Sequence, residues 1–224
     1  MQAALQACLQ ATPTIQSDDP AIIAYSQKAI SGCNTDKDKA LALYYAVRDD
    51  IRYDPYKLQL TVTGMSAVET LNSGRGWCVP KAILLAACCR AVGIPAKLGF
   101  ADVCNHLSTA RMRAVMKTDV FYWHGYTSIY LDNQWVKATP AFNLELCEKF
   151  GLHPLEFDGE HDSLYHEFDQ SGNKHMEYLN DRGEYDDLPL ETIQRDLDEL
   201  YPGMMAMVNN QPSFDQDVAA EVSH

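Results

Sequence analysis

An α+β fold, with helices first and an antiparallel sheet after them, is what this sequence predicts, and three observations carry the prediction. Helix-start signals in the first forty residues open segments of helical apolar spacing. A glycine-rich turn, Gly74-Arg75-Gly76, then delivers Cys78 to the head of a long apolar helix. Finally, the stretch from Phe121 to Thr139 is dense in aromatic and β-branched residues on both sides of a two-residue turn. At 224 residues and 46% hydrophobic content, the chain is long enough to bury a core. The expected organisation is one domain over 1–208, with its core at about 36–145, an accessory acidic lid over 146–187, a C-terminal helix over 188–201 and a disordered tail over 209–224.

Taken in order, Asp19 reads as an N-cap with Pro20 at the first helical position, and Gly32 closes that helix. A second helix opens near Thr35-Asp36 and carries Ala40, Leu41, Leu43, Tyr44 and Val47 on one face, so the two form an N-terminal helical hairpin. Chain around Pro55 must be extended. Ser66-x-x-Glu69 has capping-box spacing and leads a short helix into the glycine turn. Pro80 is tolerated in a first turn, Ile83 to Cys89 carry the central helix onward, and Gly93 with Pro95 ends it. A strand over 96–103 and a loop or short basic helix over 107–117 follow, and Asp132-Asn133 suits a hairpin turn with positive φ between two strands. Leu190, Ile193, Leu197 and Leu200 return to helical spacing.

Composition removes several classes of function. Seven cysteines, an odd number without a Cys-x-x-Cys pair, suggest neither a disulfide framework nor a zinc knuckle, and fit a reducing compartment. No signal peptide and no membrane-spanning run is recognisable, so a cytoplasmic protein with no membrane partner is expected. A net charge of −13 opposes phosphate backbones, so no nucleic-acid partner is expected. His153, His161, His166 and His175 stand among acidic residues at irregular spacing, which reads as a solvated lid, with no metal and no cofactor. The sequence leaves the oligomeric state open.

The chemistry centres on Cys78. A thiol at a helix N-terminus meets unpaired backbone N–H groups and the positive end of the helix dipole, which favour thiolate and could also receive an oxyanion. Its candidate partner is His124, in the middle of the hairpin's first strand beside Gly125, a residue that lets another element approach closely. With Asp132-Asn133 as the turn, His124 faces Ala141, and its diagonal neighbours are Thr139 and Asn143. Either could hold the ring, and Asn143 would complete a Cys-His-Asn set. Asp132 is too far along the strand, whereas an acidic-segment carboxylate such as Asp158 could fold over the site. Trp77 and Tyr126 are the candidate residues on the substrate and oxyanion side.

Gly76-Trp77-Cys78 opening a helix, His124-Gly125-Tyr126 in a strand, and Trp135-Val136 through Thr139-Pro140 together resemble the transglutaminase-like superfamily, over roughly Leu41 to Asn143. The resemblance implies a papain-like core, in which a central helix carrying the cysteine packs on an antiparallel sheet. It also implies acyl transfer through a thioester, on a peptide, protein or small amide substrate. Cys78 and His124 fall on the family's nucleophile and histidine. Thr139 falls where the family places an aspartate, and brings no charge to an imidazolium. That departure keeps a second expectation open, a non-catalytic binding or scaffold member with an incomplete triad.

Overall fold

Helices begin where the capping residues lie. The structure, a computed structural model, describes residues 2–105, 109–165, 170–172, 175–202 and 214–222. After α1 (Gln2–Ala7), helix α2 (Pro20–Ala29) starts at Asp19, whose carboxylate accepts the Ala21 N–H at 2.8 Å. Helix α3 (Asp36–Asp50) starts on a full capping box between Thr35 and Asp38 and packs against α2. A two-residue strand β1 (Arg52–Tyr53) follows, then α4 (Ala67–Ser73), capped by Ser66 and closed by Gly74 at φ 62°. From Gly74 the chain runs through β2 (Arg75–Gly76), paired in parallel with β1, directly into α5 (Cys78–Ala91).

Helix α5 is buried on every side, from Cys78 to Arg90. A helix apolar all round belongs at the centre of a fold, and α5 is surrounded by α2, α3 and α4 on one side and by strands on the other. Its one lysine is also fully buried: Lys81 donates to the Arg48 carbonyl at 2.9 Å and to the Ile51 carbonyl, groups left unpaired at the end of α3. Burial lowers the pKa of this ammonium to about 7.

The sheet has four antiparallel strands in the order β5-β4-β3-β6, with β3 (Ala96–Asn105), β4 (Val120–Leu131), β5 (Gln134–Ala138) and β6 (Met176–Tyr185). Asp132 and Asn133 both have positive φ, 47° and 67°, and set the expected hairpin register, with Thr127 opposite Ala138 and Leu131 opposite Gln134. β5 nevertheless stops at Ala138, so His124 has no partner there. It pairs with Ala101 of β3 instead. Between β3 and β4 lies α6 (Ala110–Met116), after β5 comes α7 (Leu144–Phe150), and α8 (Leu190–Leu200) follows β6.

Two expectations for the second half need correction. The 146–187 stretch is not only a covering layer: it supplies β6, an edge strand paired along β3. Met176 is its one fully buried residue, so no apolar alternation marked the strand. The C-terminal tail contains helix α9 (Phe214–Val222), whose Phe214 and Val218 are buried in the core. Phe214 packs edge-on against Tyr53 and Tyr56, and Asp217 accepts the Tyr56 hydroxyl at 2.7 Å. Residues 209–213 and 223–224 of the expected tail, and His166 with Glu167 and Asp169, lie outside the described residues.

The close approach of β4 to α5 is at Gly125. A Cβ there would lie 2.9 Å from the Val79 Cα, a backbone atom that cannot rotate away. Gly125→Ala must therefore separate β4 from α5, and should lower stability by about 1–3 kcal/mol, read as an earlier urea midpoint with unchanged slope. An unaltered midpoint would refute the contact.

Candidate active site

The Gly125 approach brings three backbone N–H groups, those of Cys78, Val79 and Gly125, to the Cys78 sulfur. Two belong to the first turn of α5, where they have no intrahelical partner. The third comes from β4 beyond the point where β5 has ended. All three favour the thiolate, yet burial outweighs them: Cys78 is 5% exposed and its thiol is pushed up to about 11. The helix-terminus argument thus identified the donors correctly and gave the wrong net sign, because it omitted desolvation.

His124 is buried as well, and burial depresses its imidazole to about 4, opposed by the Leu164 main-chain carbonyl. Nε2 has no hydrogen-bond partner, so the contact with Leu164 falls to Nδ1. Gly125 packs on Val79, and Thr127 donates to the Ala82 carbonyl at 2.9 Å, so odd positions of β4 face α5. By alternation Tyr126 turns to the other side, where the 152–165 segment passes and Ser163 bridges Ala138. Cys78 and His124 border one cavity, yet no hydrogen bond joins sulfur and ring. The resting site holds a neutral thiol and a neutral imidazole.

A bulge immediately precedes the histidine. Between the pairs Ala101–His124 and Val103–Phe121, two β4 residues, Tyr122 and Trp123, oppose the single residue Asp102. Trp123 takes φ 58°, a conformation that a bulky residue adopts only when its surroundings impose it. Those surroundings are polar and buried. Asp102 accepts the Trp123 N–H at 3.2 Å, the Arg182 Nε at 2.5 Å and the Asn180 amide at 3.3 Å. Asp196 accepts the Trp123 indole N–H at 3.0 Å and Arg182 at 2.8 Å, while the Arg182 guanidinium lies 4.7 Å from the Trp123 ring centroid. None of this was visible in the sequence, since Asp102 and Arg182 lie 80 residues apart and meet only through β3 and β6.

The other candidates separate. Thr139 is buried near the end of β5; its N–H donates to the Ser163 carbonyl at 2.9 Å, and its hydroxyl has no partner. Asn143 commits its side-chain oxygen to the Tyr53 N–H at 3.0 Å, holding β1 in place, so that oxygen is not offered to His124. Asp158 is exposed and pairs with His161 at 2.7 Å. The acidic segment does reach the histidine, but with the Leu164 backbone. Tyr126 lies over Gly99 in a small cluster with Ala101, Val103 and Met176, away from Cys78, which corrects its expected place beside the substrate. Trp77 lines the cavity, and its buried indole N–H has no partner.

That cavity, of about 40 Å³, lies beside Cys78. Its walls include Leu58, Met112, Met116, Tyr122, Leu197 and Tyr201. Among the described residues, no group of three or more His, Cys, Asp or Glu side chains could hold a metal ion. No helix among them is long and apolar enough to cross a membrane.

A cysteine opening a buried helix, against an antiparallel strand that carries a histidine, defines the core of a papain-like cysteine enzyme fold. The chain belongs to the transglutaminase-like superfamily, whose profile matches residues 23–140. Among solved structures it is similar to a candidate cysteine protease from Cytophaga hutchinsonii, at 17% identity and a TM-score of 0.45, covering 80% of this chain and 53% of that one. It is also similar to a candidate protease from Parabacteroides distasonis, at 15% identity and a TM-score of 0.38, covering 53% of this chain and 22% of that one. The chain thus spans about half the length of the first and under a quarter of the second. A search of curated proteins finds no match.

Two expected outcomes follow from the burial of these groups. A histidine near 4 in the fold and near 6.5 when unfolded takes up its proton first in the unfolded chain, so its stability contribution is whole above pH 6.5 and lost as pH falls through 4. The contribution is on the order of 3 kcal/mol, and urea unfolding at pH 7 and pH 4.5 should show a smaller acid loss in His124→Gln than in the native chain. Equal losses would contradict a buried neutral imidazole. Asp102→Ala takes the acceptor from the Trp123 N–H and from the Arg182 Nε, leaving Arg182 only Asp196, and should cost about 2 kcal/mol, whereas Asp102→Asn keeps an acceptor for the N–H and should cost clearly less. The same urea series reads both.

Proposed function

We propose that the protein is a cysteine-dependent acyl-transfer enzyme, acting on an amide or peptide bond through a thioester on Cys78. The observation that carries this reading is the convergence on one sulfur of three backbone N–H groups, with the unpartnered Trp77 indole N–H bordering the same cavity. Donors in such numbers match a carbonyl oxygen that gains negative charge as a tetrahedral intermediate forms.

In the proposed sequence, the substrate carbonyl carbon enters beside Cys78. Free thiol and imidazole hold their protons where they are, with Cys78 near 11 and His124 near 4. Proton transfer therefore accompanies the attack rather than preceding it. His124 turns from Leu164 towards the sulfur and takes the thiol proton as the C–S bond forms, and the carbonyl oxygen becomes an oxyanion held by the N–H groups. Collapse breaks the C–N bond, and the imidazolium gives its proton to the leaving amine. Water then hydrolyses the thioester, with His124 accepting its proton, or a second amine takes the acyl group. Thr139, in the family's carboxylate position, offers a hydroxyl that could hydrogen-bond the imidazolium without adding charge.

A second reading, a binding or scaffold protein on the same fold, draws on the neutral resting pair and on the threonine. Acyl trapping separates the two. Incubation with p-nitrophenyl acetate should leave one acetyl group on the intact protein, mapped to Cys78, labile to hydroxylamine and absent from Cys78→Ala. His124→Ala should slow its formation at least a hundredfold, and Thr139→Asp, by supplying the charge, should speed it. Acetylation indifferent to His124 would favour the scaffold.

A further inference from the structure

The cavity beside Cys78 carries information about the acyl group as well as about the reaction. Of the twelve residues that line it, none is Asp, Glu, Lys or Arg. Leu58, Met112, Met116 and Leu197 are each at most 6% exposed and form its walls together with aromatic rings. Its polar atoms are few and mostly engaged. The Tyr201 hydroxyl donates to the Val120 carbonyl at 2.7 Å and accepts the Tyr122 N–H at 2.8 Å. Two buried ring nitrogens of its lining residues, the Trp77 indole N–H and His124 Nε2, have no hydrogen-bond partner. An apolar chamber with few polar groups, bordered by a cysteine, is the form of a small-ligand site.

We propose that this chamber binds the acyl side of the substrate, and that it selects an uncharged apolar group next to the reacting carbonyl. This rests on the acyl-transfer reading of Cys78. The chemistry of discrimination is desolvation: a charged side chain entering the chamber would lose its water and find no counter-charge or fixed hydrogen-bond partner on the walls. A carboxamide would suffer the same loss to a smaller degree. An apolar group instead buries surface against Met112, Met116 and Leu197, and the two methionines can adjust to its shape. With the side chain seated there, the carbonyl oxygen is left at the end where the Cys78 N–H and the Trp77 indole lie.

The test uses affinity labels on the full chain at pH 9, each a chloromethyl ketone of an N-acetyl amino acid, with iodoacetamide as a label lacking any side chain. Rates at Cys78, read by peptide mapping, are divided by each reagent's rate with glutathione. The phenylalanine and leucine reagents should modify Cys78 at least tenfold faster than the aspartate and lysine reagents, with glutamine between them. Rates within threefold of one another, or a faster charged reagent, would overturn the apolar assignment. If the preference appears but His124→Ala leaves the apolar reagents' rates unchanged, the chamber stands and the Cys-His mechanism fails. No modification of Cys78 by any apolar reagent would overturn the assignment as well. Leu197→Lys adds an independent check: it should raise the relative rate of the aspartate reagent, and no rise in a folded variant would count against the chamber.

Discussion

The close approach of β4 to the first turn of α5, at Gly125 and Val79, is the contact on which the site depends. It has two consequences of opposite sign. It gathers the N–H groups of Cys78, Val79 and Gly125 around one sulfur, the arrangement on which the proposed thioester chemistry draws. It also excludes water from that sulfur, and exclusion wins, raising the thiol to about 11 and lowering the neighbouring imidazole to about 4. Helix dipoles and N-terminal donors are worth at most about 2 kcal/mol even in partly buried geometries, less than the desolvation of a full charge. In the proposed mechanism these donors serve the charge that develops on substrate.

The strand that carries His124 is held by a second constraint, the bulge at Trp123. A non-glycine residue at φ 58° costs on the order of 1–3 kcal/mol, and Asp102, Arg182 and Asp196 offset it by bonding the Trp123 N–H, its indole and one another. The bulge resets the strand directly before the histidine. β6, which carries Arg182, is therefore part of the site's support, although it contributes nothing to the cavity walls.

Legibility in the sequence followed locality. Asp19, Thr35 and Ser66 were readable as N-caps because capping is a contact over three residues, and Asp132-Asn133 set the hairpin register because a two-residue turn leaves one alignment. Cys78 and His124 could be nominated from helix-start chemistry and the Gly125 neighbour. The group that meets His124 could not: the Leu164 contact is made by backbone, which any residue supplies. Asn143 was a sound chemical choice at a permitted strand parity, but β5 ended five residues too early to present it, and Tyr53 took its oxygen. β6 escaped because this edge strand buries one residue, Met176, and has no apolar alternation to detect. Helix α9 escaped because Phe214 is one ring in a polar stretch, buried by partners Tyr53 and Tyr56 some 160 residues away.

The central claim is that burial keeps the free site neutral, thiol and imidazole each holding its own proton arrangement until substrate arrives. An NMR titration of the His124 ring, in the native chain and in Cys78→Ala, tests it most directly. The account predicts a pKa near 4 that hardly changes when the sulfur is removed. A pKa above 7 in the native chain that falls by several units in Cys78→Ala would reveal a resting thiolate–imidazolium pair and contradict it.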